Sequence, residues 1–235
     1  MLKLIKLEWK KNNTGKYLLK ALILAALLCF FILALAYLGI ANDPDTGVPD
    51  AAPGNGTISA PIELFTGMCY LIYTSSMLSA IIISSYQNRT MELMFSYPIR
   101  RQKILVSQML AVWIFSFTAL VLTKLLLYGA VLVCSLVRQS AFPLDYSMDS
   151  PHFYIQLILK SAVTVSISFI ALFIGLKLKS TKAALITSFL LILLTQANVG
   201  DITLADNTVF PLLLAAGSLV FAVLSVCRAE TRDLL

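Results

Sequence analysis

The chain has 235 residues, of which 59% are hydrophobic and only 13% are charged, and its formal net charge is +6. A soluble domain averages about 25% charged residues. A globule of this size also leaves much of its surface in water and could not hide so many apolar side chains. The composition therefore excludes an ordinary soluble fold and favours a lipid bilayer as the solvent.

Six long apolar runs predict membrane-spanning helices. About 20 apolar residues in a helix cross the hydrocarbon core of a bilayer, and backbone groups in lipid must bond within their own segment. The runs do not alternate as barrel strands do. We predict an all-α, polytopic membrane protein with one transmembrane domain over residues 1–235. The predicted spans are Tyr17–Ile40, Ile62–Ser84, Ile104–Thr123 with an extension to Val137, Phe153–Leu176, Ala183–Val199 and Thr208–Cys227.

The N-terminal segment, Met1–Lys16, is basic and amphipathic. Leu2, Ile5 and Trp9 share one helical face, and lysines occupy the others. This pattern predicts a helix in the membrane interface with its Trp at headgroup depth; a segment that acts only as a charged anchor is the alternative. The apolar run Tyr17–Ile40 is too long for a signal peptide, so we predict an uncleaved helix.

The distribution of Lys and Arg predicts the orientation. Of the 18 basic residues, 15 lie in segments on the N-terminal side of the membrane, one (Arg138) lies on the other side, and two (Lys124 and Lys160) lie within apolar runs. Eight of the 12 acidic residues show the opposite bias. By the positive-inside rule both termini are cytoplasmic. The basic excess would face anionic lipid, which argues against nucleic acid as a partner.

The third apolar run is longer than one span requires. Ile104–Val137 would form a helix of about 51 Å, whereas the hydrocarbon core is about 30 Å thick. Two spans would reverse the orientation downstream and place the basic segment Lys177–Lys182 outside. We therefore predict one span with an outer extension or a bent end near Lys124 and Gly129.

The cytoplasmic segment between the second and third spans, Ser85–Lys103, has the sequence SYQNRTMELMFSYPIRRQK. Arg89–Tyr97 predicts a short helix, with Glu92 near its positive end and Pro98 ending it. Its apolar face would need a partner surface; a loop tucked under the helices is the alternative. The apolar residues of that face are Met91, Met94 and Phe95.

The run RTMELMFSYPIRRQKIL, placed between the second and third of six spans, resembles permeases of the type-2 ATP-binding-cassette exporters. The resemblance is to a small bacterial branch that handles bacteriocins, lantibiotics or other antimicrobial peptides, in export or self-immunity. It implies that this segment is the coupling helix, which docks into a groove of the ATPase, and that the N-terminal segment is the connecting helix. The implied coupling residues are Arg89, Thr90, Met91, Glu92, Leu93, Met94, Phe95, Ser96 and Tyr97.

The resemblance also implies partners and a location. Two permeases, identical or related, would combine with two cassette ATPase subunits in the bacterial cell membrane. The sequence has no G-x-x-x-x-G-K-[ST] phosphate loop, so we expect this chain to bind no cofactor and the partner subunit to bind ATP and Mg. We expect no catalytic or metal-binding residues, because the sole histidine is His152 and the four cysteines are scattered singly. The chain is therefore not expected to be an enzyme.

Lys124 and Lys160 are the two charges within apolar runs. Charge deep in lipid is costly, but both lie toward the outer leaflet, where their side chains could snorkel to water. The other hypothesis is that they line a translocation path or pair with Glu63 at the outer start of the second span. In addition, Ala171 and Gly175 have the small-residue spacing that lets membrane helices approach closely.

Two other functions stay open. A stand-alone secondary transporter or channel usually places ionisable residues or broken helices near the membrane midplane. We expect no carboxylate within a span, Glu63 being placed at a span's outer start, so this alternative is less favoured. A membrane partner protein that does not transport is the third possibility. The substrate is not identified by the sequence.

Overall fold

The computed structural model describes residues 9, 14–37, 58–84, 101–137, 150–178, 180–195, 198–199, 202–203 and 209–231. Within these ranges the fold is helical, as the sequence predicts. A π-helical turn, Ser79–Ile83, continues the second helix, and the two short strands pair with each other. The elements are α1 (Thr14–Tyr37), α2 (Ser59–Leu78), α3 (Arg101–Val137), α4 (Pro151–Leu178), α5 (Thr181–Thr195), β1 (Asn198–Val199), β2 (Ile202–Thr203) and α6 (Val209–Thr231).

Four helical segments among the described residues are long and apolar enough to cross a membrane. They agree with the first four predicted spans, and they support a membrane-embedded protein. Two further apolar helices are shorter than a usual span, so the number of crossings is not fixed by helix length. The four long segments are Gly15–Tyr37, Ser59–Ile83, Gln102–Ser135 and Pro151–Leu178, and the two short ones are Thr181–Thr195 and Pro211–Val226.

α3 is one unbroken helix of 37 residues. At 1.5 Å per residue it is about 55 Å long. The α-helix continues through Lys124 and Gly129, where the sequence suggested an extension or a bent end. A helical hairpin within this run, which would have reversed the orientation downstream, is therefore excluded.

The fifth predicted span ends earlier than the sequence suggested. The prediction ran to Val199, but α5 ends at Thr195, and β1 pairs with β2 in antiparallel register, Asn198 opposite Thr203 and Val199 opposite Ile202. β-branched side chains favour extended backbone, and Asn is a weak helix former. Apolar composition alone did not distinguish this extended segment from the end of a helix.

The chain divides into two compact units, and the first comprises Met1–Tyr17, Tyr70–Phe117 and Ala162–Leu235. The core of this unit joins the C-terminal end of α2 and its π-turn to the first half of α3, with α4 and α5 packed against them. Its buried side chains are Met77, Leu78, Ile81, Ile82, Ile83, Leu105, Met109, Val112, Phe169, Leu172 and Ala184.

A close helix approach in this unit centres on Gly175 of α4. A Cβ atom at this position would lie 2.7 Å from the Cβ of Ala184 and would also overlap the Cδ1 of Ile83. The turn after α4 is held by the backbone N–H of Ser180, which donates to the Gly175 carbonyl at 3.1 Å. The small-residue spacing in the fourth predicted span thus corresponds to a real close approach of helices.

The second unit comprises Leu18–Cys69 and Thr118–Ser161. It contains most of α1, the first half of α2, the second half of α3 and the start of α4. Phe31 and Phe65 meet edge to face, with ring centroids 4.9 Å apart. Ile62, Leu120 and Leu127 of this unit are also buried, and this unit holds the charged cluster described next.

Candidate functional site

The first member of the candidate site is Glu63, the fifth residue of α2. The helix begins with Ser59, and Pro61 is tolerated there because the first-turn N–H groups have no intrahelical partner. The neighbouring side chains Ile62 and Thr66 are buried, and the Thr66 hydroxyl donates to the Ile62 carbonyl at 2.6 Å. The buried face of α2 thus includes Ile62 and Thr66, and the Glu63 side chain remains partly exposed.

The partner of Glu63 is Lys124 on α3. The Lys124 Nζ donates to Glu63 Oε2 at 2.7 Å, and the side chains are 1% and 23% exposed, respectively. The lysine is thus enclosed by protein, whereas the carboxylate keeps a route to the surface of the unit. This arrangement differs from a snorkelling lysine, whose ammonium group would project outward.

A third group, Tyr128, completes the cluster. It follows Lys124 by four residues and therefore lies on the same face of α3, one turn further along. Its hydroxyl donates to Glu63 Oε1 at 3.3 Å, so both carboxylate oxygens of Glu63 are bound. Its ring meets Phe153, near the start of α4, edge to face at 4.9 Å. The cluster therefore joins α2, α3 and α4.

Lys160, two turns after Phe153 on α4, is exposed. Its ammonium is close enough to that of Lys124 for the two positive charges to repel each other. The sequence proposed that the two lysines could pair with Glu63, and the structure shows such a pair for Lys124.

The Glu63–Lys124 pair is not by itself evidence of a large gain in stability. Lys124 lies 23 residues beyond Arg101, or about 34 Å along the helix axis. In an apolar setting, the attraction between two opposite charges is little larger than the free energy needed to remove both charges from water. Apolar residues of similar volume are therefore often as stabilising as the ion pair. Ionisable groups within membrane helices are costly and commonly serve function.

The predicted coupling residues, Arg89 to Tyr97, lie outside the described residues. Trp9, from the predicted interfacial helix, is described and is helical. Its indole Nε1–H donates to the Ala111 carbonyl at 3.2 Å. Ala111 is ten residues after Arg101, which is about 15 Å along α3. Trp9 is therefore anchored on α3 in addition to any contact with headgroups.

Sequence reasoning missed Tyr128 as a member of the cluster. The available signal was its spacing of four residues from Lys124, which places both on one helical face. A buried hydroxyl in an apolar helix also needs a hydrogen-bond acceptor. Among the described residues, no group of three or more His, Cys, Asp or Glu side chains could hold a metal ion.

Comparison with known proteins gives one relevant finding. A Bacillus subtilis (strain 168) protein named uncharacterized protein YcbO is 22% identical over 234 residues, covering 98% of this chain and 99% of that protein. No family model matches the chain, and no solved structure matches it. The similarity therefore extends over the full length of both chains, but it carries no functional information.

Proposed function

We propose that this chain is the permease subunit of an ATP-binding-cassette exporter in the bacterial cell membrane. Its substrate would be an antimicrobial peptide or a similar amphipathic molecule, moved out of the cell or out of the membrane. The observation that carries the proposal is the segment RTMELMFSYP, which lies between two helices that are long and apolar enough to span a bilayer, α2 and α3.

Three further features support this proposal. α2 ends in a π-helical turn whose Ser79 hydroxyl donates to the Thr181 carbonyl at 3.4 Å, so the end of α2 is tied to the start of α5. The segment that follows carries Met94 and Phe95, apolar side chains suited to a protein partner. If ATP drives the transport, the ATPase is a separate chain, because this sequence has no phosphate loop.

In the proposed assembly, two permeases and two ATPase subunits act together. Closure of the ATPase pair on ATP would push the Arg89–Tyr97 helices and change the tilt of the transmembrane helices. Five residues separate the π-turn from Arg89, and the turn is buried against α5, so force on the segment would be passed toward the core of the first unit.

The test is co-purification of the full chain, expressed in its native host, with a cassette ATPase recognised by its phosphate loop. Met94→Asp and Phe95→Asp should each reduce the recovered ATPase at least about tenfold, since a charge in an apolar contact is left desolvated and unpaired. Met148→Asp, the same change in a segment predicted to lie outside, is the matched control and should retain the ATPase. Retention by all three variants would count against the proposal.

The Glu63–Lys124 pair specifically favours a second candidate, an ion-coupled secondary transporter. Glu63 is the fifth residue of the apolar segment Ser59–Ile83, and it pairs with a buried lysine. Intramembrane ionisable pairs of this kind occur in proton and ion relays.

This second candidate is tested with the purified chain alone in sealed vesicles. Substrate or ion flux that needs a proton or sodium gradient, and that is lost in Glu63→Gln, would favour it over the cassette exporter. Flux that appears only when an ATPase and ATP are added would favour the first proposal. The two measurements use the same vesicles, so one preparation distinguishes the two functions.

A further inference from the structure

We infer that the ion pair between Glu63 and Lys124 holds a bound water molecule in the second unit. This water accepts a hydrogen bond from the Lys124 ammonium and donates one to the Glu63 carboxylate. It makes the pair a hydrated site between helices that are otherwise apolar, and it is present whichever of the two proposed functions is correct.

The Lys124 ammonium has more hydrogen-bond donors than the described part of the chain has acceptors for it. A lysine ammonium carries three N–H donors. One of them is bound, to Glu63 Oε2 at 2.7 Å, and the side chain is only 1% exposed. The other two therefore lie where bulk solvent does not reach them. A buried donor without an acceptor is left with the full cost of its removal from water.

Other buried polar side chains of this unit are satisfied by the protein itself. The Thr66 hydroxyl donates to the Ile62 carbonyl at 2.6 Å, and the Ser161 hydroxyl donates to the Leu157 carbonyl at 2.6 Å. Lys124 makes no such bond to a carbonyl of the described residues, and lipid tails offer no acceptor. The ammonium therefore needs an acceptor that comes from outside the protein and the bilayer.

Glu63 gives a water molecule both a second partner and a route to the ammonium. A carboxylate can accept about four hydrogen bonds, and Glu63 accepts one from Lys124 and one from Tyr128. A buried water usually has about two to four polar partners, of which the ammonium and the carboxylate supply two. The Glu63 side chain is 23% exposed, so solvent reaches the carboxylate. The enclosure of Lys124 admits no ligand much larger than water.

The test is solid-state NMR of the uniformly ¹⁵N-labelled full chain in liposomes, which measures the transfer of magnetisation from water protons to individual nitrogen atoms. The Nζ signal of Lys124 is identified by its loss in Lys124→Met, or in Lys124→Arg if the first variant does not fold. Transfer to this nitrogen should be detected at the short mixing times at which it is detected for the exposed Lys103 on the same helix.

The backbone N–H of Leu127 is the matched control, because this residue is also 1% exposed and lies three residues further along α3. Within the helix its N–H donates to a backbone carbonyl, so it should receive no transfer at these mixing times. Absence of transfer to Lys124 would overturn the inference. Equal transfer to Lys124 and Leu127 would also overturn it, since magnetisation would then be spreading through the protein. Neither ATPase nor substrate is needed, so failure would leave the co-purification and flux results unaffected.

Discussion

At the scale of single residues, the Glu63–Lys124 pair is asymmetric, and its two halves should respond differently to mutation. Glu63→Gln leaves an ammonium that is 1% exposed without its counter-ion, and breaking a buried pair in this way costs about 3–5 kcal/mol. Lys124→Gln leaves a carboxylate that is partly exposed and still accepts a hydrogen bond from Tyr128. Unfolding free energies in detergent should therefore show a larger loss for Glu63→Gln. Equal losses would contradict the burial described here.

Tyr128 provides a second prediction at the same scale. Tyr128→Phe removes the hydroxyl that binds Glu63 at 3.3 Å but keeps the ring that contacts Phe153 at 4.9 Å. Because the lost hydrogen bond is long, the expected destabilisation is at the lower end of the usual range, about 0.5 kcal/mol. Tyr128→Leu, which also removes the ring contact, should cost clearly more in the same unfolding measurement. Both variants lack the hydroxyl, so equal losses in the two would mean that the ring contact with Phe153 contributes nothing to stability.

The sequence predicted the depth of these residues along their helices but not the direction in which each side chain points. Sequence position gives the depth of a residue along its helix at 1.5 Å per residue, and so Glu63 and Lys124 were correctly expected near one level. It does not give the rotation of each helix, which is set by packing at residues such as Ile62 and Leu127. For this reason the burial of Lys124, the surface position of Lys160 and the participation of Tyr128 required the structure.

At the scale of elements, the continuity of α3 through Gly129 leads to a prediction. A Cβ atom added at Gly129 would meet nothing within 4 Å. In an unbroken helix Gly129→Ala should therefore raise stability by up to about 1 kcal/mol, since Ala is the better helix former. If the helix bent at this glycine, the substitution would instead lower the unfolding free energy. Far-ultraviolet circular dichroism during thermal unfolding distinguishes the two results.

The approach of α4 to α5 predicts the opposite result for another glycine. Gly175→Ala would place a Cβ atom 2.7 Å from that of Ala184, and overpacking of this kind costs about 1–3 kcal/mol. Gly217→Ala is the matched control, because it lies in the same unit and has nothing within 4 Å. Adding Ala184→Gly to Gly175→Ala should restore part of the loss, since it removes one of the two clashing atoms and leaves Ile83 Cδ1, the end of a flexible side chain. Failure of this rescue would place the clash elsewhere.

Helices were predicted well where the run of apolar residues is long, and the positions of their ends were predicted poorly. The first four spans contain enough apolar residues for helix formation to be the only option in lipid, and the structure has helices there. The end of α5 depends on a few residues, where the intrinsic preference of Val199 for extended backbone competes with the apolar environment. A pattern based on hydropathy does not register that competition.

At the scale of the whole molecule, the main question is how many times the chain crosses the bilayer. α5 has 15 residues and is about 22 Å long, which is less than the roughly 30 Å of hydrocarbon. A short helix can still cross if the bilayer thins or if flanking residues reach the interface. The distribution of basic residues does not distinguish four crossings from six, because the C-terminus lies on the same side of the membrane in both cases.

The strand pair β1–β2 resolves this question, because it lies between the two short helices. With six crossings it lies on the same side of the membrane as the start of α4, and with four it lies on the side of the start of α3. In a cysteine-free background, Val199→Cys should therefore react with an impermeant maleimide in intact cells, as His152→Cys should. Lys103→Cys should react only after permeabilisation. If Val199→Cys behaved like Lys103→Cys while His152→Cys stayed accessible, the chain would have four crossings, and α5 and α6 would pack at the cytoplasmic face without crossing.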